Sequence, residues 1–127
     1  MTHLPRGRAM RILIIEDSEM NRDMLSRRLA RRGHQVLTAA TGGEGISAAG
    51  RERPDVILMD VGLPDMSGIE AVAHLKREAA TAAIPVVAVT ANTLPEIETA
   101  CREAGCVGFI GKPIDFGTLL GMIQAGS

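Results

Sequence analysis

The sequence predicts a doubly wound α/β domain, five parallel strands alternating with five helices. Three observations predict it. Short apolar runs without polar alternation recur at Arg11 to Ile15, Val56 to Met59 and Ile84 to Val89, the pattern of strands buried on both faces. Between the runs lie segments with helical spacing of apolar residues and recognisable caps. Neither repeats nor a Gly/Ser-rich linker interrupt the alternation, so each strand must cross over a helix to reach the next, which makes the sheet parallel and covers both its faces. Right-handed crossovers leave few topologies, and pattern alone does not choose the strand order among them.

Taken in order, residues Met1 to Ala9 are polar and carry Pro5 and Gly7, a flexible leader that we bound at residues 1–10. The first strand, Arg11 to Ile15, ends in Glu16-Asp17. Ser18 can cap the helix that follows, Met20, Met24, Leu25 and Leu29 mark its buried face, and Arg31-Arg32-Gly33 closes it. Gln35 to Ala39 is a short second strand. Thr41 opens a helix weakened by Gly42, Gly43, Gly45 and Gly50.

Pro54-Asp55 begins the third strand, which delivers Asp60 to a loop of Gly62, Pro64, Asp65, Ser67 and Gly68. Ser67 and Gly68 start a third helix that runs to about Ala79. The fourth strand ends at Thr90. Thr93-Leu-Pro-Glu96 reads as a capping box for a helix with Leu94, Ile97, Ala100, Cys101 and Ala104 on one side and Gly105 at its close. Val107 to Gly111 is the fifth strand, Lys112-Pro113 follows, and Asp115 caps a last helix through Phe116, Leu119, Leu120 and Ile123. The domain spans residues 11–126.

Composition narrows the function. The chain has 127 residues, enough for one ordinary core, with 46% hydrophobic and 23% charged residues. A formal net charge of −1 gives no electrostatic case for direct nucleic-acid contact, and two Phe with no Trp or Tyr make a base-stacking surface implausible. No stretch reaches the roughly 20 apolar residues of a membrane span, so membrane insertion is not expected and the cytoplasm is the default location. Cys101 and Cys106 have neither redox-pair nor zinc spacing and read as small core residues. The residues His3, His34 and His74 lack ligand spacing and read as surface groups, and the methionines as core filler.

The chemistry lies at the strand ends. Glu16 and Asp17 follow the first strand, Asp60 the third, Thr90 the fourth and Lys112 the fifth. In a parallel sheet those ends share one rim, where ligands of open α/β folds bind. Carboxylates crowded there repel by about 4 kcal/mol per pair at 4 Å and an effective dielectric near 20. They must protonate, recruit a cation or use the lysine as counter-charge. Two carboxylates and a backbone carbonyl, with water completing the shell, suit Mg²⁺; no Cys or His is present for zinc or copper. A metal beside a carboxylate, a lysine and a hydroxyl describes a phosphoryl site. Asp60 can attack phosphorus, Mg²⁺ and Lys112 can neutralise the phosphoryl oxygens, and Thr90 can donate its hydroxyl to one of them.

With those residues in place, the chain resembles the receiver domain of two-component response regulators over about residues 11 to 126. Five stretches carry the resemblance: Ile-Ile-Glu16-Asp17, Leu-Met-Asp60-Val-Gly-Leu-Pro64, Met66-Ser-Gly68, Val-Thr90-Ala91 and Gly-Phe109-Ile-Gly-Lys112-Pro113. The resemblance implies the flavodoxin-like strand order 2-1-3-4-5. It implies phosphotransfer to Asp60 from a histidine kinase or histidine phosphotransfer protein. It assigns Glu16 and Asp17 to the acidic pair holding Mg²⁺ and Gly62 to the residue whose backbone carbonyl joins them. It makes Thr90 and Phe109 the switch residues, Lys112 the site lysine, and Lys112–Pro113 a cis bond. The surface of the fourth helix, fifth strand and fifth helix would then control a downstream protein partner or a fused output or kinase domain. There are two departures from the family pattern: Gly62 leaves no side chain over the phosphoryl group, and Phe109 replaces a frequent tyrosine.

Blander readings compete. A single strand-end carboxylate is usually a helix cap or a solvated loop group, and Thr90 and Phe109 alone would be commonplace; it is the set of five in one order that points to phosphoryl chemistry. The arginines Arg22, Arg27, Arg28, Arg31 and Arg32 read as a solvated helix face paired in part with Glu19 and Asp23, or else as a docking surface for the phosphodonor. A receiver-like module acting without phosphorylation would be expected to lose some of the five residues. A dehalogenase-like phosphatase would want Asp at position 62, and Glu16-Asp17 would repel a flavin phosphate. No output domain follows in this sequence, so a stand-alone receiver and one excised from a larger regulator or hybrid kinase are both compatible with it.

Overall fold

Ten elements alternate without exception in the computed structural model, which describes residues 9–126. They are β1 (Arg11–Ile15), α1 (Glu19–Arg31), β2 (Gln35–Ala39), α2 (Gly42–Glu52), β3 (Val56–Asp60), α3 (Gly68–Arg77), β4 (Val86–Thr90), α4 (Pro95–Ala104), β5 (Gly108–Gly111) and α5 (Phe116–Gly126). All strand pairs are parallel, as the sequence pattern predicts, and their order is β2-β1-β3-β4-β5, as the family resemblance implies.

Alternation along the buried strands sorts the core into two layers. Leu13, Ile15, Ile57, Met59, Val86 and Ala88 face α2, α3 and α4. Ile12, Ile14, Val56, Leu58, Val87 and Val89 face α1 and α5. Successive side chains of a strand point to opposite faces, so covering both faces requires the continuous apolar runs seen in the sequence. Each fully buried Val, Leu or Ile contributes about 1.5–3 kcal/mol of transfer free energy. The layers are therefore rigid enough to fix the strand ends, and with them the residues at the rim.

The caps follow local chemistry. Ser18, Thr41 and Ser67 each accept a backbone N–H of the helix they open, and Ser67 with Glu70 completes a capping box. Asp115 accepts the Thr118 N–H at 3.2 Å. Gly33 (φ 90°) and Gly105 (φ 120°) end α1 and α4 in the region that side chains avoid.

Several expectations are corrected. Of the leader expected over residues 1–10, residues 1–8 lie outside the described residues; Met10 is buried in the α1–α5 layer. In α1 only Leu25 and Leu29 of the expected apolar face are buried, while Met20 is 79% and Met24 44% exposed. At 100° per residue, Met20 lies about 140° round the helix from Leu25, so a stripe set by Leu25 and Leu29 turns it to solvent. His34 is buried rather than superficial: it follows the turn at Gly33, and its Nδ1 accepts the Met10 N–H at 3.1 Å.

The capping box at Thr93 is absent. Pro95 occupies the first helical position and drives the preceding residue, Leu94, into an extended conformation, so Leu94 becomes the cap, with no side-chain bond, and is itself exposed. Cys101 and Cys106 are buried and unbridged, as expected. Burial pushes the Cys106 thiol up to about 12.

Candidate functional site

The C-terminal strand ends form a cleft of about 410 Å³ lined by Glu16, Asp17, Asp60, Gly62, Thr90 and Lys112 together with neighbouring loop residues. Six of the seven residues singled out in the sequence thus share one cavity. Phe109 does not line it. As a member of β5 it packs half-buried against the layer facing α2, α3 and α4, beside Ala88 in register.

Asp60 is the last residue of β3 and is only 5% exposed. Its Oδ1 accepts the Gly62 N–H at 3.0 Å, and its Oδ2 accepts a bond from Lys112 Nζ at 3.2 Å. The loop after Asp60 is tied off beneath it. Gly68 N–H donates to the Val61 carbonyl at 2.8 Å, and Gly62 pairs with Ser67 in an isolated antiparallel bridge. A Cβ on Gly68 would overlap the Asp60 carbonyl oxygen and come within 2.7 Å of Val61 Cα, so only glycine lets the start of α3 pass this close to the strand end.

Glu16 is buried and held on both sides of its carboxylate: Oε2 accepts the Ser18 N–H at 2.9 Å and Oε1 lies 3.2 Å from Lys112 Nζ. Burial raises its pKa; the Ser18 N–H works against this, and the nearby Asp60 charge adds to it. Lys112 is also partly buried, which tends to lower its pKa, yet the bonds and charges of Asp60 and Glu16 outweigh that and leave it raised. The ammonium is therefore firmly charged at neutral pH. Lys112 is brought to this spot by its own N–H, which donates to the Thr90 carbonyl at 2.8 Å, and it precedes Pro113 through a cis peptide bond.

Asp17 is exposed, but one of its carboxylate oxygens lies with one each of Glu16 and Asp60 in a group whose members are all within 4.8 Å of one another. Three carboxylates face one ammonium. The unmatched negative charge and the all-oxygen donor set fit a small hard dication such as Mg²⁺, and neither a histidine nor a cysteine belongs to the group.

Thr90 ends β4 and is buried. Its hydroxyl oxygen accepts the Asn92 N–H at 2.9 Å, which leaves its own proton free to be donated into the cleft. Gly62 is open on the cleft side: a Cβ there would meet only Asp60 Oδ1, at 3.9 Å.

Sequence reasoning missed Arg22 as part of this neighbourhood. One arm of its guanidinium donates to the Glu16 carbonyl at 2.9 Å and lies 3.4 Å from that of Asp17, bracing the acidic loop from α1. The signal was its position one turn into the helix that follows the acidic pair, hidden by the neighbouring arginines. Those behave otherwise: Arg27 pairs with Asp23 at 3.0 Å in solvent, and Arg28 and Arg32 stack over Phe116 at 4.2 and 5.8 Å from the ring centre.

The chain is similar to known proteins over nearly its whole length. A model of the response regulator receiver domain matches residues 12–124. The protein PilH of Pseudomonas aeruginosa is 40% identical over 115 residues, covering 91% of this chain and 95% of that protein. The chemotaxis protein CheY4 of Vibrio cholerae superposes with a TM-score of 0.88 at 32% identity, over 94% of this chain and 100% of that one. The receiver domain of a sensor histidine kinase from Pseudomonas aeruginosa superposes with a TM-score of 0.85 at 30% identity, over 93% of this chain and 97% of its own, and holds a magnesium ion in its active-site cleft. No helix among the described residues is long and apolar enough to cross a membrane. With a matching fold and a family model that covers residues 12–124, this chain belongs to the response regulator receiver domains of two-component signalling.

Proposed function

We propose that this receiver accepts a phosphoryl group on Asp60 from the phosphohistidine of a histidine kinase or histidine phosphotransfer protein, in a Mg²⁺-dependent reaction. The observation that carries the reading is Lys112 Nζ, 3.2 Å from both Asp60 Oδ2 and Glu16 Oε1, where a positive charge sits beside the one buried carboxylate at the end of β3.

A carboxylate oxygen of Asp60 attacks phosphorus, the bond from phosphorus to the donor imidazole nitrogen breaks, and the electron pair leaves with the imidazole. Glu16, Asp17, Asp60 and the Gly62 carbonyl are the groups that would hold Mg²⁺, which when bound supplies positive charge to the phosphoryl oxygens as the bond order shifts. Lys112 is preorganised to add a second positive charge without reorganisation. Burial of Asp60 and Glu16 keeps bulk water from screening these charges.

Phosphorylation then adds about −1.5 to −2 charges at Asp60. The Thr90 hydroxyl proton gains an acceptor on the phosphoryl group, drawing the β4–α4 connection inward. Phe109, half-buried on β5 against the layer that faces α2, α3 and α4, takes up the space released, and the α4–β5–α5 face changes its preferred partner. The phosphoryl group biases two existing arrangements rather than creating a new one. That partner is a protein, either separate or fused as an output or kinase domain. The reading includes a cytoplasmic location, with neither direct nucleic-acid contact nor membrane insertion. Chemistry by the chain itself is confined to self-phosphorylation and self-dephosphorylation at Asp60; the domain's role is regulatory.

Incubation with Mg²⁺ and a small acyl phosphate or phosphoramidate, read by intact mass, should add one phosphate to the wild type and none to Asp60→Ala. Retention of the label in that variant would remove Asp60 from the mechanism.

A further inference from the structure

The loop that follows Asp60 is anchored at a second place, on the first turn of α2. Asp65, exposed at the tip of the loop, reaches across to the first turn of α2: its Oδ1 accepts the Gly42 N–H at 2.8 Å and its Oδ2 accepts the Gly43 N–H at 2.9 Å. Both carboxylate oxygens are therefore used on two of the four N–H groups that a helix start leaves unpaired. Thr41 takes a third, from Glu44 at 3.1 Å. The two glycine N–H groups hold the Asp65 carboxyl below the usual carboxylate range.

A second observation, independent of charge, lies beside the first. The side chain of Met66 runs so close to Gly42 that a Cβ there would stand 2.6 Å from Met66 Cγ and 2.9 Å from its sulfur. Glycine costs helix stability at that position, and Gly42 and Gly43 together start α2 with two such residues. At Gly42 the cost is explained by close approach, since only a bare backbone lets Met66 lie this near. Polar clasp and apolar contact together join the α2 start and the β3–α3 loop into one body.

The other end of that loop is Gly62. Its N–H holds Asp60 Oδ1, and it pairs with Ser67 two residues beyond Asp65. We infer that Asp65 is a positioning residue: by clasping the N-terminus of α2 it sets the β3–α3 loop, and through it the Gly62 backbone, against Asp60. This rests on the phosphoacceptor reading for its consequence, since it is the Gly62 carbonyl that would join Glu16 and Asp17 on Mg²⁺, but the clasp itself is a property of the metal-free chain.

Amide exchange by NMR on the metal-free protein tests it directly. In Asp65→Ala the amides of Gly62 and Gly68 should exchange about tenfold faster, through local opening of the loop. Mg²⁺ titration of the same variant should show affinity about tenfold weaker, the scale of a lost supporting contact. Asp65→Asn keeps one acceptor oxygen and should fall between. Gly42→Ala, whose Cβ would collide with Met66 and press on Asp65 Oδ1 at 3.3 Å, should loosen the same amides. Thr41→Ala weakens the same helix start without touching the loop, and should move neither reading. Unchanged loop amides in Asp65→Ala, or equal effects of Thr41→Ala and Asp65→Ala, would overturn the inference. Failure of the wild type to take up phosphate would instead sink the phosphoacceptor reading, while the amides still decide the clasp.

Discussion

The two rims of the sheet carry similar polar groups and put them to opposite uses. At the N-terminal rim the charges are spent on backbone and on each other. Asp55 Oδ2 accepts the Arg11 N–H at 2.8 Å, the Arg11 guanidinium bonds the Glu52 carbonyl and pairs with its carboxylate at 3.0 Å, and buried His34 accepts the Met10 N–H. At the C-terminal rim three carboxylates cluster, two of them against one ammonium, and keep a surplus of negative charge facing a cleft. One rim is balanced, and its groups lose free energy if removed. The other is held unbalanced by the packing beneath it, as a site that awaits a cation and a phosphoryl group must be.

The largest test of that contrast is Lys112→Ala. Removing the ammonium that pairs with both Asp60 and Glu16 should slow phosphoryl uptake from a small acyl phosphate by about 10²–10³-fold, the usual worth of one charge preorganised toward the transition state. Initial rates of labelling at saturating Mg²⁺ measure it, and a rate within about threefold of the wild type would show the lysine to be a counter-charge for the resting state alone.

Mg²⁺ itself should act on one rim only. A ligand that binds the folded chain at about 100 times its Kd stabilises it by about 2.7 kcal/mol. Thermal melts with and without Mg²⁺ should show that gain in the wild type, and Asp17→Asn should lose most of it. Asp55→Ala should keep it while lowering baseline stability by about 1 kcal/mol for the lost Arg11 N–H bond. Equal Mg²⁺ responses in wild type and Asp17→Asn would place the cation elsewhere.

The same contrast explains how much was legible in the sequence. Strand-end chemistry was readable because parallel strands bring their C-terminal residues to one rim whatever their order, so Glu16, Asp60, Thr90 and Lys112 converge from the alternation alone. The N-terminal rim was not readable. His34 and Met10 meet because the turn at Gly33 leads into β2 alongside β1, and neither residue carries a mark of that meeting. Side-chain direction on α1 was misjudged for a related reason. Methionine is apolar wherever it stands, and only the rotation imposed by Leu25 and Leu29 shows Met20 to face solvent. The Asp65 clasp was likewise hidden, since a loop aspartate and a glycine pair lying 22 residues apart give no joint pattern.

The smallest expected effect concerns His34 and distinguishes the balanced rim by its pH response. Burial, with a further push from the Arg32 charge, lowers its pKa below the ordinary 6.5. Above that value folded and unfolded chains both carry a neutral ring, and the bond from the Met10 N–H to Nδ1 contributes in full. As pH falls below 6.5 the unfolded chain takes up a proton that the folded chain refuses, so this contribution is lost on acidification and is gone once pH passes the depressed folded value. In His34→Gln the amide oxygen can still accept the Met10 N–H and cannot titrate. Urea midpoints measured from about pH 7.5 to about pH 5.5 should therefore fall more steeply in the wild type than in His34→Gln. Parallel falls would show that the His34 ring does not set the acid response.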